Sequence, residues 1–254
     1  MSKRRKFKIG QRSPDEIKRL RRRLLSGTLA EIHQIRDEWH GVHYRWWIIT
    51  LSGVLALFVL SYFSYTQLGW YADQRPLPTG SDWLLRRIPA VNVLPILSWG
   101  WFALHLYAAG AAIAFHPRRI PFLLFMLSVF LFIRTAFVFL SPIGPPVEMI
   151  DMGKLDYLFS RLMGTYTFKN EFIFSGHTCI PFLFFLFFDT KGLKLLMLCG
   201  SITMAICVLL SHNHYTVDVI AAYLIGYSIY VLSENLFYGF IRPLFQVFPS
   251  QARY

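Results

Sequence analysis

Residues Ile120–Leu140 read IPFLLFMLSVFLFIRTAFVFL, an apolar run whose single charge is Arg134. A run of this length covers the ~20 residues that a helix needs to cross a ~30 Å hydrocarbon core. A core helix of a soluble protein would carry a polar outer face, and this run has none. Working outward, five further apolar segments frame it: Trp46–Thr66, Val91–Phe115, Phe172–Phe188, Gly192–Leu210 and Val217–Phe240. The pattern predicts an all-α polytopic membrane protein with six transmembrane helices. The fourth and fifth segments are the shortest, and Trp39, Trp46, Trp47 and Trp70 flank the first as an interfacial belt should.

Composition agrees. Hydrophobic residues make up 55% of the 254 positions and charged residues 16%, against about 25% charged in soluble domains. The net charge of +12 could suggest nucleic acid, yet 13 of the 26 Lys and Arg precede Trp46. A basic head on an apolar body suits an anionic membrane surface, with no nucleic-acid partner. Three sections follow: a basic cytosolic or interfacial segment 1–45, a six-span catalytic membrane domain 46–240 and a short cytosolic tail 241–254. Within the first, Ser13-Pro14-Asp15-Glu16 starts a helix. Ile17, Leu20, Leu24, Ile32 and Ile35 recur along it for a membrane surface or, equally, for a protein partner. The basic leader is too long for a cleavable signal peptide, so the first span is expected to act as the uncleaved signal. Cys179, Cys199 and Cys207 fall in apolar runs and read as small core residues without disulfides.

Orientation follows the basic residues. An inside N-terminus leaves 19 Lys and Arg inside and six outside, with Arg134 in a span, and the excess comes entirely from the head. Loops 67–90, 141–171 and 211–216 then share the non-cytosolic face. The membrane is a bacterial inner membrane, or Golgi, endoplasmic reticulum or plasma membrane in a eukaryote.

Two strings border that face. In Ser175-Gly176-His177-Thr178, Ser175 can cap a helix, Gly176 lets backbone approach a ligand, and the first-turn amides make an anion site. His177 adds a proton donor there. A simple capped helix with an interfacial histidine is the alternative. In His212-Asn213-His214-Tyr215-Thr216-Val217-Asp218, His214 and Asp218 are four apart and share a helix face. Asp218 can then orient the imidazole as a triad carboxylate does, or the pair can be purely structural. Arg134, within a span, costs about 2.5–3.5 kcal/mol to insert and so calls for a reason: a phosphate ligand, or snorkelling to the interface. His105, mid-span, is expected to hydrogen-bond between helices.

Phe172-Ile173-Phe174-Ser175-Gly176-His177-Thr178 and His212-Asn213-His214-Tyr215-Thr216-Val217-Asp218-Val219, continuing to Ala222-Tyr223, resemble the sphingomyelin synthase and ceramide phosphoethanolamine synthase family. That family belongs to the type-2 phosphatidic acid phosphatase superfamily. The resemblance is specific from about residue 170 to 224. It implies that His214 is the nucleophile on phosphorus, Asp218 orients it, and His177 protonates the leaving alkoxide and then activates the incoming hydroxyl. This is covalent catalysis through a phosphohistidine, with no metal and no cofactor. Arg134, Glu171, Ser175, Gly176 and Tyr215 are the expected substrate-binding residues. Glu171 matches the family's acidic position and could bond a head-group ammonium or orient His177. Lys169 and Arg161 are weaker cation candidates. Lys169-Asn170-Glu171 stands where the synthases carry Cys-Gly-Asp, and Ser141-Pro142-Ile143-Gly144-Pro145-Pro146 only loosely echoes the family's proline stretch.

The expected activity moves a phosphocholine or phosphoethanolamine head group from a glycerophospholipid to a lipid alcohol such as ceramide, or to water. The partners are the phospholipid donor and the lipid-alcohol acceptor, with homo-oligomerisation open. The alternative is a lipid phosphate phosphatase. Those enzymes use a Lys-x6-Arg-Pro string, absent here before the third span, and an arginine upstream of the second histidine, where this chain has Ile206-Cys207-Val208-Leu209-Leu210. A non-catalytic scaffold or transporter is a third class, and the chain shows none of the paired inverted halves that transporters use.

Overall fold

The computed structural model describes residues 36–40, 42–141, 143–151, 168 and 170–241. The basic segment up to residue 35, Lys154, Arg161, Lys169 and the tail from 242 lie outside the described residues. The chain divides into two units, Met1–Val42 and His43–Tyr254. Of the first, residues 36–40 are helical. The second holds six helices among the described residues: α1 (Tyr44–Asp73), α2 (Trp101–Phe115, entered through a π turn Ile96–Gly100), α3 (Ile120–Leu140), α4 (Gly176–Phe187), α5 (Lys191–Leu210) and α6 (Thr216–Leu236, continued by a π turn Phe237–Ile241).

Five of these are long and apolar enough to cross a membrane, and α4 is a shorter apolar helix. Their outer faces explain why. Along α1 the buried positions are Thr50, Val54, Ser61, Tyr65, Gly69 and Ala72, a stripe of mostly small or polar residues at helical spacing. Val59 and Phe63, each 59% exposed, point away from the protein. A helix with its largest apolar groups outward and its small ones inward is built for lipid. Gly226 of α6 has the same logic: a Cβ there would meet the Cys179 sulfur at 3.0 Å and Phe182 at 3.1 Å. α1 packs chiefly on α3, and α4 on α5 and α6. A core of Phe122, Met126, Phe130, Leu183, Phe187 and Ile229 fills the space between them.

The expected spans hold with informative shifts. α3 has its predicted bounds, opened by Pro121 in its first turn. α1 runs on from Thr66 to Asp73, where Arg75 also ties it to α3 by donating to the Val138 and Phe139 carbonyls. α4 begins at Gly176, not Phe172. Cys199 is exposed on α5, while Cys179 and Cys207 are buried as expected, and all three are free thiols.

The level of α4 is set by α5. Ser201 donates to the Thr178 carbonyl at 2.8 Å, and α5 continues to Leu210, about 13 Å farther at 1.5 Å per residue. The amino end of α4 therefore sits well below the end of its neighbour. Loops close over it: Val91 donates to the Leu210 carbonyl at 2.7 Å and Ile150 to Ser211 at 3.1 Å.

Candidate active site

Three local structures converge at the amino end of α4. The first is the end of α5. His212 adopts a left-handed φ of 52°, Asn213 N–H bonds the Val208 carbonyl at 2.9 Å, and His212 N–H bonds Leu209 at 3.1 Å. This is a Schellman turn with histidine at the left-handed position. It reverses the chain and delivers His214 to the start of α6.

The second is that start. Asp218 is 2% exposed. Its Oδ2 accepts from His214 Nδ1 and from the Tyr215 amide, each at 3.1 Å. Its Oδ1 accepts the Ile173 amide at 3.1 Å, and its backbone carbonyl accepts the Ser175 amide at 3.0 Å. One aspartate thus joins both sequence strings. Ile173 pays a conformational penalty for this: its φ is 113°, a region that β-branched residues avoid. With Nδ1–H donated to a carboxylate, His214 keeps its lone pair on Nε2, and no described group hydrogen-bonds that nitrogen.

The third is the helix end itself. Ser175 caps α4, accepting from the Thr178 amide at 3.3 Å and its hydroxyl at 3.2 Å. Arg134, 5% exposed, reaches this end from α3. Nη1 donates to the Phe174 carbonyl at 2.6 Å and Nη2 to Glu171 Oε2 at 2.9 Å. Gly176 makes room, since a Cβ there would lie 3.1 Å from the guanidinium carbon and 3.3 Å from Nη1. Helix-end amides and a guanidinium side by side can hold an anion. His177, half-buried, lies 5.5 Å from the Trp101 ring and within electrostatic reach of His214 and Arg134, with the Leu97 carbonyl at its ring. The π turn that opens α2 supplies that carbonyl, and Trp101 is the first residue of α2 itself.

His177, His214, Asp218, Arg134, Ser175 and Gly176 therefore come together around the amino end of α4. Three residues take other contacts. Glu171 faces Arg134 and the Tyr65 hydroxyl, and no contact joins it to His177. Tyr215 is 5% exposed; its hydroxyl donates to the Gly144 carbonyl at 2.9 Å and accepts the Gly80 amide at 2.8 Å, so it staples two loops. His105 bonds within its own helix, to Trp101 at 2.6 Å, rather than between helices, and its Nε2 is buried without a hydrogen bond.

Sequence reasoning missed Tyr65, Trp101 and Asp82. Asp82 accepts the Thr216 amide at 2.6 Å and hydroxyl at 2.9 Å, capping α6 from a distant loop. Burial pushes its carboxyl up, but bonds from Thr216, Leu85 and Leu84 outweigh that and hold it below the ordinary carboxylate value. Tyr215, just outside α6, is raised, first by burial. A cavity of about 550 Å³ lies beside Asp218, lined by Gly80, Asp82, Ile143, Ile173, Val217 and Ile220. Val217 and Ile220 are 63% and 58% exposed on the lipid-type face of α6. Among the described residues, no three His, Cys, Asp or Glu side chains gather as a metal set.

Residues 170–235 match the family model described as PAP2 superfamily C-terminal. The resemblance to sphingomyelin synthases holds over part of the chain. Across 70 residues the chain is 37% identical to phosphatidylcholine:ceramide cholinephosphotransferase 1 of Gallus gallus. It is also 37% identical to phosphatidylcholine:ceramide cholinephosphotransferase 2 of Rattus norvegicus and of Mus musculus. These alignments take in 25% of this chain and only 17–19% of the relatives' length. No solved structure matches the chain. The family match holds both histidines, Asp218 and Glu171, whereas Arg134, Tyr65 and Trp101 lie outside it.

Proposed function

We propose that this protein is a lipid phosphotransferase that moves a phosphocholine or phosphoethanolamine head group from a glycerophospholipid to a lipid alcohol such as ceramide, or to water. The observation that carries the reading is the His214–Asp218 pair, with its free Nε2, set beside His177 and the guanidinium-flanked end of α4. His214 Nε2 attacks phosphorus and forms a P–N bond as the P–O bond to diacylglycerol breaks. His177 gives its proton to the departing alkoxide. The neutral His177 then takes the proton of the acceptor hydroxyl, whose oxygen attacks phosphorus and releases His214. Asp218 fixes the tautomer and stabilises the charge on His214. Arg134 and the amides of α4 hold the equatorial oxygens, and the chemistry needs no metal or cofactor.

The Arg134–Glu171 pair favours a diester over the phosphatase alternative. Glu171 neutralises much of the guanidinium charge, and a monoester dianion demands more cationic charge than a diester monoanion. The cavity beside Asp218, open on the lipid-type face, is of a size that takes small-molecule ligands. In the cell the N-terminus is cytosolic and the site opens on the opposite face.

The test is the purified protein in vesicles of phosphatidylcholine and phosphatidylethanolamine, with and without ceramide. Diacylglycerol together with a phosphorylated lipid alcohol is the expected product pair, abolished in His214→Ala. Inorganic phosphate released from phosphatidate, with no head-group transfer, would instead select the phosphatase. Turnover that survives in His214→Ala rules out the nucleophile.

A further inference from the structure

We propose that Tyr65 is a positioning residue for the phosphate site, acting through Glu171 on Arg134. The inference rests on the reading of Arg134 as the cation that meets the phosphate. Tyr65 belongs to α1, outside the family match, and is 4% exposed. Its hydroxyl donates to Glu171 Oε1, while Glu171 Oε2 accepts from Arg134. Both carboxylate oxygens are thereby fixed, one from α1 and one from α3. The guanidinium carbon also lies 6.0 Å from the Tyr65 ring and 5.5 Å from the Phe174 ring, within cation–π range.

The strand of chain that carries Glu171 is locked to the same helix. Asn170 donates its amide side chain to the Ala72 carbonyl at 2.8 Å and to Arg75 at 3.1 Å. Its backbone N–H bonds Asp73 at 2.8 Å. α1 thus grips residues 170 and 171 at two levels, and Tyr65 is its contact with the Arg134–Glu171 pair. A buried carboxylate that loses one of two partners rotates toward whatever donor remains. Removing the Tyr65 hydroxyl lets Glu171 swing and draws the guanidinium off the axis of α4. Glu171 is accordingly a strut for Arg134, spent on internal bonds rather than on the head-group ammonium.

A double-mutant cycle tests this, with Tyr65→Phe, Arg134→Ala and the pair assayed on phosphatidylcholine vesicles containing ceramide. Tyr65→Phe should lower kcat about tenfold with KM nearly unchanged. In the Arg134→Ala background the same substitution should change kcat by less than about twofold. Equal losses in both backgrounds mean that Tyr65 only supports packing, and no loss in the wild-type background means that the hydroxyl is idle; either overturns the proposal. A second readout is the thermal shift produced by orthovanadate, which mimics a phosphoryl group. Wild type should show the shift and Tyr65→Phe should lose it. A wild type that binds vanadate but transfers no head group sinks the proposed function alone, and the vanadate cycle then judges Tyr65. Absence of both turnover and shift in the wild type overturns both.

Discussion

His214 and Arg134 occupy the same site and are held in opposite ways. His214 is oriented by Asp218, four residues along the same helix start. Arg134 is oriented by Glu171, Phe174 and, through Glu171, Tyr65, from two stretches of chain distant from its own. The support of the proposed nucleophile is written locally, inside a stretch matched to a family. The cation's support exists only once α1, α3 and the residues before α4 have packed. In the proposed reaction the nucleophile and its orienting carboxylate lie in a short block of sequence, while the placement of phosphate is left to the surrounding helices.

The local half is exposed to one substitution above all. Asp218→Asn should lower kcat about 10³- to 10⁴-fold, as loss of an orienting carboxylate does. Because Asp218 accepts three side-chain-directed bonds, it should also destabilise the protein by about 1–3 kcal/mol. Steady-state kinetics and thermal unfolding in detergent read the two effects, and wild-type kcat in this variant would break the local half. The distributed half predicts that Arg134→Lys, which keeps the charge, still loses about 10²-fold in kcat/KM. An ammonium cannot reproduce the planar fork that spans Phe174 and Glu171, so full activity would show that charge alone suffices. Gly176→Ala sharpens the point with a smaller change. Its new methyl, 3.1 Å from the guanidinium carbon, should displace Arg134 and reduce kcat/KM about tenfold while leaving expression intact. Normal kinetics there would mean that the guanidinium has room to spare.

The smallest effect concerns the loop cap of α6. The Asp82 carboxyl is held below its ordinary value, so its stabilisation is fully present above about pH 4, the unfolded value. It is lost as pH falls through the folded value. Tm should therefore drop on acidification below about pH 4, and Asp82→Asn should flatten part of that drop. Identical acid limbs in the two proteins would remove Asp82 from the account.

The apolar runs made the helices legible because a lipid-facing segment has no polar face to confuse its period. α3 keeps its predicted bounds, and α5 and α6 start within a residue of theirs. Residues 172–174 misled because Phe172, Ile173 and Phe174 are as apolar as the helix they precede. Asp218 draws the Ile173 amide away from any helical ladder, a choice made forty-five residues downstream. The His–Asp spacing and the Ser-Gly-His helix start were readable because each acts within one turn. Tyr65 and Asp82 were not, since a tyrosine in a span and an aspartate in a loop look ordinary until their partners arrive. Tyr215 was visible as a motif residue, but its job of sewing loops together lies in Gly80 and Gly144.

The shortness of α4 reaches beyond the protein. Its 12 residues span about 18 Å, against a ~30 Å hydrocarbon layer. Under the proposed function the head-group phosphate must reach the amino end of α4, either by the lipid sinking or by the leaflet dimpling around the protein. Thinner bilayers would then shorten that descent, and acyl-chain length in the host membrane is expected to act on the rate of the proposed transfer.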